Sequence, residues 1–230
     1  VSLWRRTISY TWRRIFGRYE VLDPRPEAEV APYTYFLPSE NELLALEQGD
    51  QVKIIIRSIP ESLVWDAERM WFTIIAADGE RLVGELDNEP SDIPQIRPGL
   101  AVSFNRTDVI DILWNPERRA SPPSSPGRRE YWARCLVDAC LIQEHLPAHF
   151  LYREEPELAQ GDDKYPDSGW RIRADYRGLT DEEIDAREMQ YVALGVPLNC
   201  DDSWLHLIDE PIGSAYIRDW ETGKFIAYQD

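Results

Sequence analysis

Histidine and cysteine are scarce in this sequence, with three of each among 230 residues. Three cysteines form no even disulfide framework, so a reducing cytoplasm is the expected setting. One arrangement of these few residues invites a metal, Cys135-x4-Cys140-x4-His145-x3-His149. The histidine spacing fits the second half of a zinc finger, but the gap between the cysteines is longer than such sites use. Both thiols fall in an apolar, strand-like run, and an odd separation would put them on opposite faces of one strand. Buried free thiols and ordinary histidines are therefore expected, with no metal and no cofactor.

Long apolar runs are missing too. None approaches the roughly 18 residues that a membrane-spanning helix needs. The first 19 residues lack the apolar block and small-residue cleavage site of a secretion signal. Base is in short supply, with 25 Lys and Arg against 42 Asp and Glu and a net charge of −17. That balance argues against nucleic acid as a direct ligand, because phosphate neutralisation needs cations. The sequence has no phosphate-binding glycine loop, no nucleophile elbow, no defensible Ser/His/Asp spacing and no solenoid repeat.

What is present points to a folded α+β chain. Apolar residues make up 43% and charged residues 29%, with nine tryptophans available for a core. Residues 1–19 alternate Trp4, Ile8, Trp12, Ile15 and Phe16 with Arg5, Arg6, Arg13, Arg14 and Arg18, the pattern of an amphipathic basic helix. Its Trp/Ile face is expected to pack on the body, with a weak contact to anionic membrane as the alternative. Residues 20–114 read as a β-rich domain. Ser39-Glu-Asn-Glu42 is a capping box opening a helix over 40–47, and strands follow at 51–57, 69–76, 81–86, 100–104 and 109–113. Asp78-Gly79 is a hairpin turn. Five short strands with one helix suggest a small curved sheet or SH3-like barrel.

Residues 115–129 are rich in Pro, Ser and Arg and read as a linker. A second α+β domain with an antiparallel sheet is expected over 130–230, with strands at 133–142, 148–153, 169–174, 214–220 and 225–228. Thr180-Asp-Glu-Glu183 is a second capping box, predicting a helix to about residue 193, and a short helix is expected over 204–208. From Glu154 to Glu210 there are 16 carboxylates against 5 basic residues. Such a face serves solubility, or it steers a basic protein partner.

Two resemblances rest on particular residues. Gly49-Asp-Gln-Val-Lys53, Glu68-Arg-Met-Trp71, Leu82-Val-Gly-Glu-Leu-Asp-Asn-Glu-Pro90 and Gly99-Leu-Ala-Val-Ser-Phe104 resemble a bacterial domain of unknown function, number twenty-three fourteen. Tyr152-Arg-Glu154, Asp167-Ser-Gly-Trp170 and Pro211-Ile-Gly-Ser-Ala-Tyr216-x-Arg218 resemble immunity protein family thirty-three, also domain of unknown function twenty-one eighty-five. The sequence departs from that second pattern at Arg171–Arg177, where two aromatics and then Gly-Asp-Glu are usual. The resemblance implies an immunity protein that neutralises a cognate toxin of a polymorphic or contact-dependent secretion system, acting by binding and not by catalysis.

The residues then sort into roles. Candidates for toxin contact are Asp162, Asp163, Asp181, Glu182, Glu183, Asp201 and Asp202, with Tyr191 or Trp204 as aromatic anchors. Trp71, Asp87, Asn88, Tyr152, Arg153, Glu154, Asp167, Ser168, Gly169 and Trp170 carry the family patterns and either build the structure or line a pocket. Asp87-Asn88 reads as a turn bonding its own backbone. Two other function classes stay open: a regulatory or adaptor module, and a small enzyme using Glu154 and Asp167 as an acid–base pair.

Overall fold

The computed structural model describes residues 3–65, 67–118, 121, 123, 127–157 and 163–228. The chain forms two compact units, one of residues 1–30 and 35–127, the other of residues 31–34 and 128–230.

The first unit opens with helix α1 (Leu3–Phe16), then strand β1 (Arg18–Leu22), helix α2 (Arg25–Val30) and helix α3 (Glu40–Leu44). The basic helix thus ends sooner than its sequence suggests. Gly17 follows it, where a Cβ would lie 2.4 Å from the Arg13 carbonyl oxygen, and residues 18–22 pair antiparallel with the far half of β2 (Gln51–Ile59). The capping box at Ser39 and Glu42 forms in both directions and starts α3.

Strands β3 (Glu68–Asp78), β4 (Arg81–Leu86) and β5 (Ala101–Asn105) continue the antiparallel sheet in the order β1-β2-β3-β4-β5. A 3-10 turn (Arg106–Asp108) leads to β6 (Val109–Leu113), which returns to the near half of β2. One edge of β2 is thereby shared between β6 and β1, while its other edge carries β3. This return nearly closes the curved antiparallel sheet, in keeping with the small curved sheet or barrel expected.

Alternation fills its interior. Val52, Ile54, Ile56, Met70, Phe72, Ile74, Leu82, Leu86, Val102 and Phe104 all point inward and are buried. Gly84 is the exception on an inward position, because a Cβ there would lie 2.8 Å from the Phe72 side chain and 3.0 Å from the Phe104 ring. Arg106 fastens α3 to the barrel by donating to the Leu43 and Leu46 carbonyls at 2.6 and 2.9 Å.

One expectation is overturned at α1. The Trp/Ile face does not pack on the barrel: Trp4, Ile8, Trp12, Ile15 and Phe16 are all exposed. The helix is held instead by buried Arg13, whose guanidinium reaches Asp92. An ion pair with hydrogen bonds replaces the apolar contact that the pattern suggested.

The second unit is built on a six-stranded sheet. Its elements are β7 (Arg134–Asp138), α4 (Ala139–Gln143), β8 (Ala148–Arg153), β9 (Asp167–Ala174), α5 (Asp181–Asp185), β10 (Met189–Ala193), α6 (Gly195–Cys200), a 3-10 turn (Leu205–Leu207), β11 (Ala215–Arg218) and β12 (Phe225–Ala227). The strand order is β10-β7-β9-β8-β11-β12. All pairs are antiparallel except β7 with β9, which run parallel, so the sheet is mixed where a purely antiparallel one was expected. Cys135, Val137, Leu151, Trp170 and Ile172 form its core face, covered by Leu141, Leu194, Leu198, Trp204, Leu207 and Ile208. The core face is thus covered by α4, α6 and the 3-10 turn, with α5 tied to the other face.

Two element boundaries differ from expectation for identifiable reasons. The run 133–142 is a strand only to Asp138 and then becomes α4, so Cys140 lies on a helix and the opposite-face argument for the two thiols does not apply. The helix from Thr180 stops at Asp185, and residues 189–193 form a strand. Arg187 ends the helix by reaching across to Asp138 at 3.1 Å and to the Ala174 and Asp175 carbonyls at 3.2 and 2.8 Å. Fully buried Asp138 accepts from the Ala174 N–H at 2.9 Å and also pairs with Arg173. The polar tie outweighs the helical pattern because an unpaired buried carboxylate is costly.

Candidate functional site

The strand register shows which side chains share the outer face of the second sheet. One row runs across Tyr191, Leu136, Arg171, Tyr152 and Ala215. The next runs across Met189, Asp138, Arg173, Phe150, Ile217 and Ile226. The core-side residues alternate with these, as the period of two requires.

An aromatic hollow of about 490 Å³ lies on this face, lined by Phe150, Tyr152, Tyr176, Ala215 and Tyr228. Phe150 and Tyr152 rings are 5.7 Å apart, and Tyr228 meets Phe150 edge-on at 5.3 Å. Burial raises the phenol pKa of Tyr152, with the Glu154 charge adding to it, and burial does the same for Tyr176. Both therefore remain neutral hydroxyl donors on large apolar bodies, the chemistry enriched at protein–protein contacts. Arg173, on the strand beside Phe150, donates to the Ile184 carbonyl at 2.5 Å and so ties α5 to this face.

The residues of the 152–170 pattern form a bonded network beside the hollow, where Arg171 stands opposite Tyr152 in the strand register. Arg171, almost fully buried, places two nitrogens on the Asp167 carboxylate at 2.9 and 2.8 Å and a third on Glu154. Hydrogen bonding to Asp167 is the main cause of its raised pKa. Gly169 has φ +80°, and a Cβ there would sit 2.1 Å from the Glu154 carbonyl oxygen, so glycine alone fits. Arg153 donates to the Ser168 and Glu210 carbonyls at 3.0 and 2.6 Å. Ser168 donates to the Arg134 carbonyl at 2.6 Å, and the buried Trp170 ring N–H reaches the Ile208 carbonyl at 3.1 Å. Tyr152 alone of these lines the hollow. Glu154 and Asp167, the pair considered for acid–base work, both face the same guanidinium.

The acidic candidates divide by what already holds them. Asp181, Glu182 and Glu183 are exposed on α5, with Glu183 closing the capping box on Thr180. Asp163 accepts from Arg134 at 2.5 Å, and this bond, ahead of the Tyr165 N–H, lowers its pKa. Asp201 binds Arg218, the Ala148 N–H and Ser203. Asp202 accepts from Tyr33 at 2.7 Å, and the Tyr33 phenol is pushed up to about 12 by burial first and by that bond second. Tyr191 lies on the outer face, its phenol pKa raised by burial and by the Asp167 and Asp163 charges. Trp204 is a correction: it is fully buried beside Trp170, ring centroids 6.1 Å apart, and belongs to the core, out of a partner's reach. Asp162 lies outside the described residues.

In the first unit, Asp87 and Asn88 do not form a turn that bonds itself. They fasten across to β3: the Trp71 N–H donates to Asn88 at 2.8 Å, and the Asp87 carboxylate accepts from Thr73 at 2.9 Å and from Gln51 at 3.1 Å. Lys53 sits over the Trp71 ring at 4.3 Å while pairing with Asp111. Cys135 is in the core, where burial pushes its thiol pKa up, and His149 accepts from the Trp220 ring N–H at 3.2 Å. No metal-binding group of three or more His, Cys, Asp or Glu occurs among the described residues.

Sequence reasoning missed Phe150, Tyr176 and Tyr228 as one feature. Phe150 and Tyr152, two apart on a strand, are a legible pair; Tyr176 and Tyr228 join them only through the fold. The family model of the immunity protein Imm33 domain matches residues 135–229, the span that contains this sheet. No curated protein and no solved structure matches the chain. An immunity domain of this kind implies toxin immunity in general, with a toxin as partner and a generally non-catalytic role. No helix among the described residues is long and apolar enough to cross a membrane.

Proposed function

We propose that the chain is an immunity protein that binds a cognate bacterial toxin directly, through the outer face of the second sheet. The observation carrying this reading is that the immunity-domain match spans a sheet whose core face is covered by α4 and α6 and whose other face carries an aromatic hollow. Phe150, Tyr152 and Tyr228 are the anchors, since aromatic residues in a concave patch carry most of the energy of such contacts. Asp181 and Glu182, tied to the same face through Arg173, supply the charge that steers a basic toxin surface and sets specificity. The toxin is delivered by a polymorphic or contact-dependent secretion system, and the chain meets it in the cytoplasm. Kinship of the first half to domain of unknown function twenty-three fourteen is part of the same reading. It rests on the residue pattern between Gly49 and Phe104 alone.

The test is co-expression with the product of a neighbouring toxin gene, scoring host growth and co-purification at low and high salt. Rescue with a stable complex supports the reading. Persistent toxicity with no complex removes it. Binding that is weak and spread over several unrelated proteins would favour an adaptor instead.

A further inference from the structure

Helix α1 is attached to the barrel along one narrow line. Arg13 is 2% exposed and donates to the Asp92 carboxylate and carbonyl at 2.6 Å each and to Ser58 at 3.1 Å. Ser9, one turn earlier, is half-buried. Gly17, one turn later, permits close approach: a Cβ would lie 2.5 Å from the Gln95 amide nitrogen and 2.9 Å from the Ile59 carbonyl oxygen. From Trp4 to Phe16 all other residues are exposed.

At 3.6 residues per turn, Trp4, Ile8, Trp12, Ile15 and Phe16 fall within an arc of about 120°, to one side of the Ser9–Arg13 line. Their exposures are 74, 48, 50, 64 and 69%. Five large apolar side chains left in water on one side of a helix, with only Arg5 among them, mark an interaction surface. Its charge identifies the occupant. Residues 1–19 hold five of the chain's 25 basic residues and none of its 42 acidic ones. Arg5 is exposed within the arc, between Trp12 and Phe16, and Arg6 and Arg14 are exposed about 80° beyond its two ends, while Arg13 is engaged by Asp92.

We propose that α1 binds the surface of an anionic phospholipid bilayer, lying in its plane. The Trp, Ile and Phe side chains enter the headgroup–acyl boundary, and Arg5, Arg6 and Arg14 pair with lipid phosphates. Tryptophan suits this depth because its ring is apolar and its N–H remains near water. The strongly acidic remainder of the chain is repelled by the same surface, so the protein is oriented with α1 against the lipid. This contact is independent of the toxin-binding face.

The experiment is flotation of the full chain with phosphatidylcholine vesicles and with vesicles also containing phosphatidylglycerol. Binding is expected only to the anionic vesicles, and it falls as salt rises. The W4S/W12S double variant, altered on an exposed face, loses at least about tenfold in vesicle affinity from the lost apolar burial. The R5Q/R6Q/R14Q variant loses affinity and most of its salt dependence. Circular dichroism checks that both variants remain folded. Quenching of the unmodified chain's tryptophan fluorescence by brominated anionic lipid gives a readout that needs no variant. Equal binding to both vesicle types, unchanged binding by W4S/W12S, or no quenching overturns the proposal. So does a dimer in solution that W4S/W12S converts to monomer without any vesicle binding, which would assign this surface to a second copy of the chain.

Discussion

Arg171 lays two nitrogens of its guanidinium on Asp167, four residues earlier on the same strand, at 2.9 and 2.8 Å. Both side chains are 2% exposed, so neither charge has water to fall back on. Asp167→Asn and Arg171→Met are each expected to cost about 3–5 kcal/mol, because each breaks a buried ion pair by removing one partner. Glu154→Gln removes the half-exposed partner and is expected to cost about 1 kcal/mol or less. Urea denaturation of the three variants checks the order. Equal costs would mean that the network is not centred on Asp167.

Gly169 and Gly213 separate conformational strain from collision. Both have positive φ, +80° and +90°. A Cβ at Gly213 meets nothing within 4 Å, whereas at Gly169 it meets the Glu154 carbonyl oxygen at 2.1 Å. Gly213→Ala is expected to cost about 1–2 kcal/mol, the left-handed penalty alone. Gly169→Ala adds overpacking against backbone, about 1–3 kcal/mol more. Thermal unfolding of both variants measures the difference.

His149 gives the fold a pH dependence of defined sign. Burial lowers its pKa from 6.5, Asp175 opposes this, and Arg177 and Arg218 add to it. Its ring stacks on Tyr176 and accepts from Trp220, a bond that a protonated Nε2 cannot accept. The unfolded chain binds this proton more readily. The histidine's contribution is therefore complete above about pH 6.5 and is lost as pH falls through the lower folded value. Asp175, its own pKa lowered first by the Arg177 hydrogen bond, acts in a separate window below 3.8. Melting temperatures between pH 8 and 4.5 are expected to fall less steeply in His149→Phe than in the unaltered chain. Parallel slopes would remove His149 as the cause.

The barrel was legible because its strands alternate and its turns carry Gly and Asp. The inward Val52, Ile54 and Ile56 and the capping box at Ser39 declare themselves locally. The second unit was less legible where distant polar groups decide. Nothing near Arg187 in sequence announces Asp138, so a helix was expected where a strand pairs with β7. Trp204 looked like an anchor because it stands among acids, yet it closes the core beside Trp170. At α1 the amphipathic pattern was legible and its direction was not, because Asp92 holding Arg13 is 79 residues away.

The acidic residues themselves offer the sharpest test of the binding face, because the fold uses some and leaves others free. Asp201 ties Arg218, the Ala148 N–H and Ser203 together, so Asp201→Ala is expected to lower stability by about 2 kcal/mol or more through the groups it leaves unpaired. Its effect on toxin affinity, measured on folded protein, should be small. Asp181 and Glu182 are exposed and lie outside the Thr180–Glu183 cap, so D181K/E182K leaves that cap intact. This reversal is expected to slow toxin association about tenfold or more at low salt and to flatten its salt dependence, with dissociation little changed. Tyr152→Ala, in the hollow, acts the other way: removal of a desolvated aromatic anchor speeds dissociation and costs about 2 kcal/mol of affinity or more. Association and dissociation rates at two salt concentrations, measured for all three, distinguish steering from anchoring. If D181K/E182K and Tyr152→Ala both bind as the unaltered chain does, the toxin contacts a different surface.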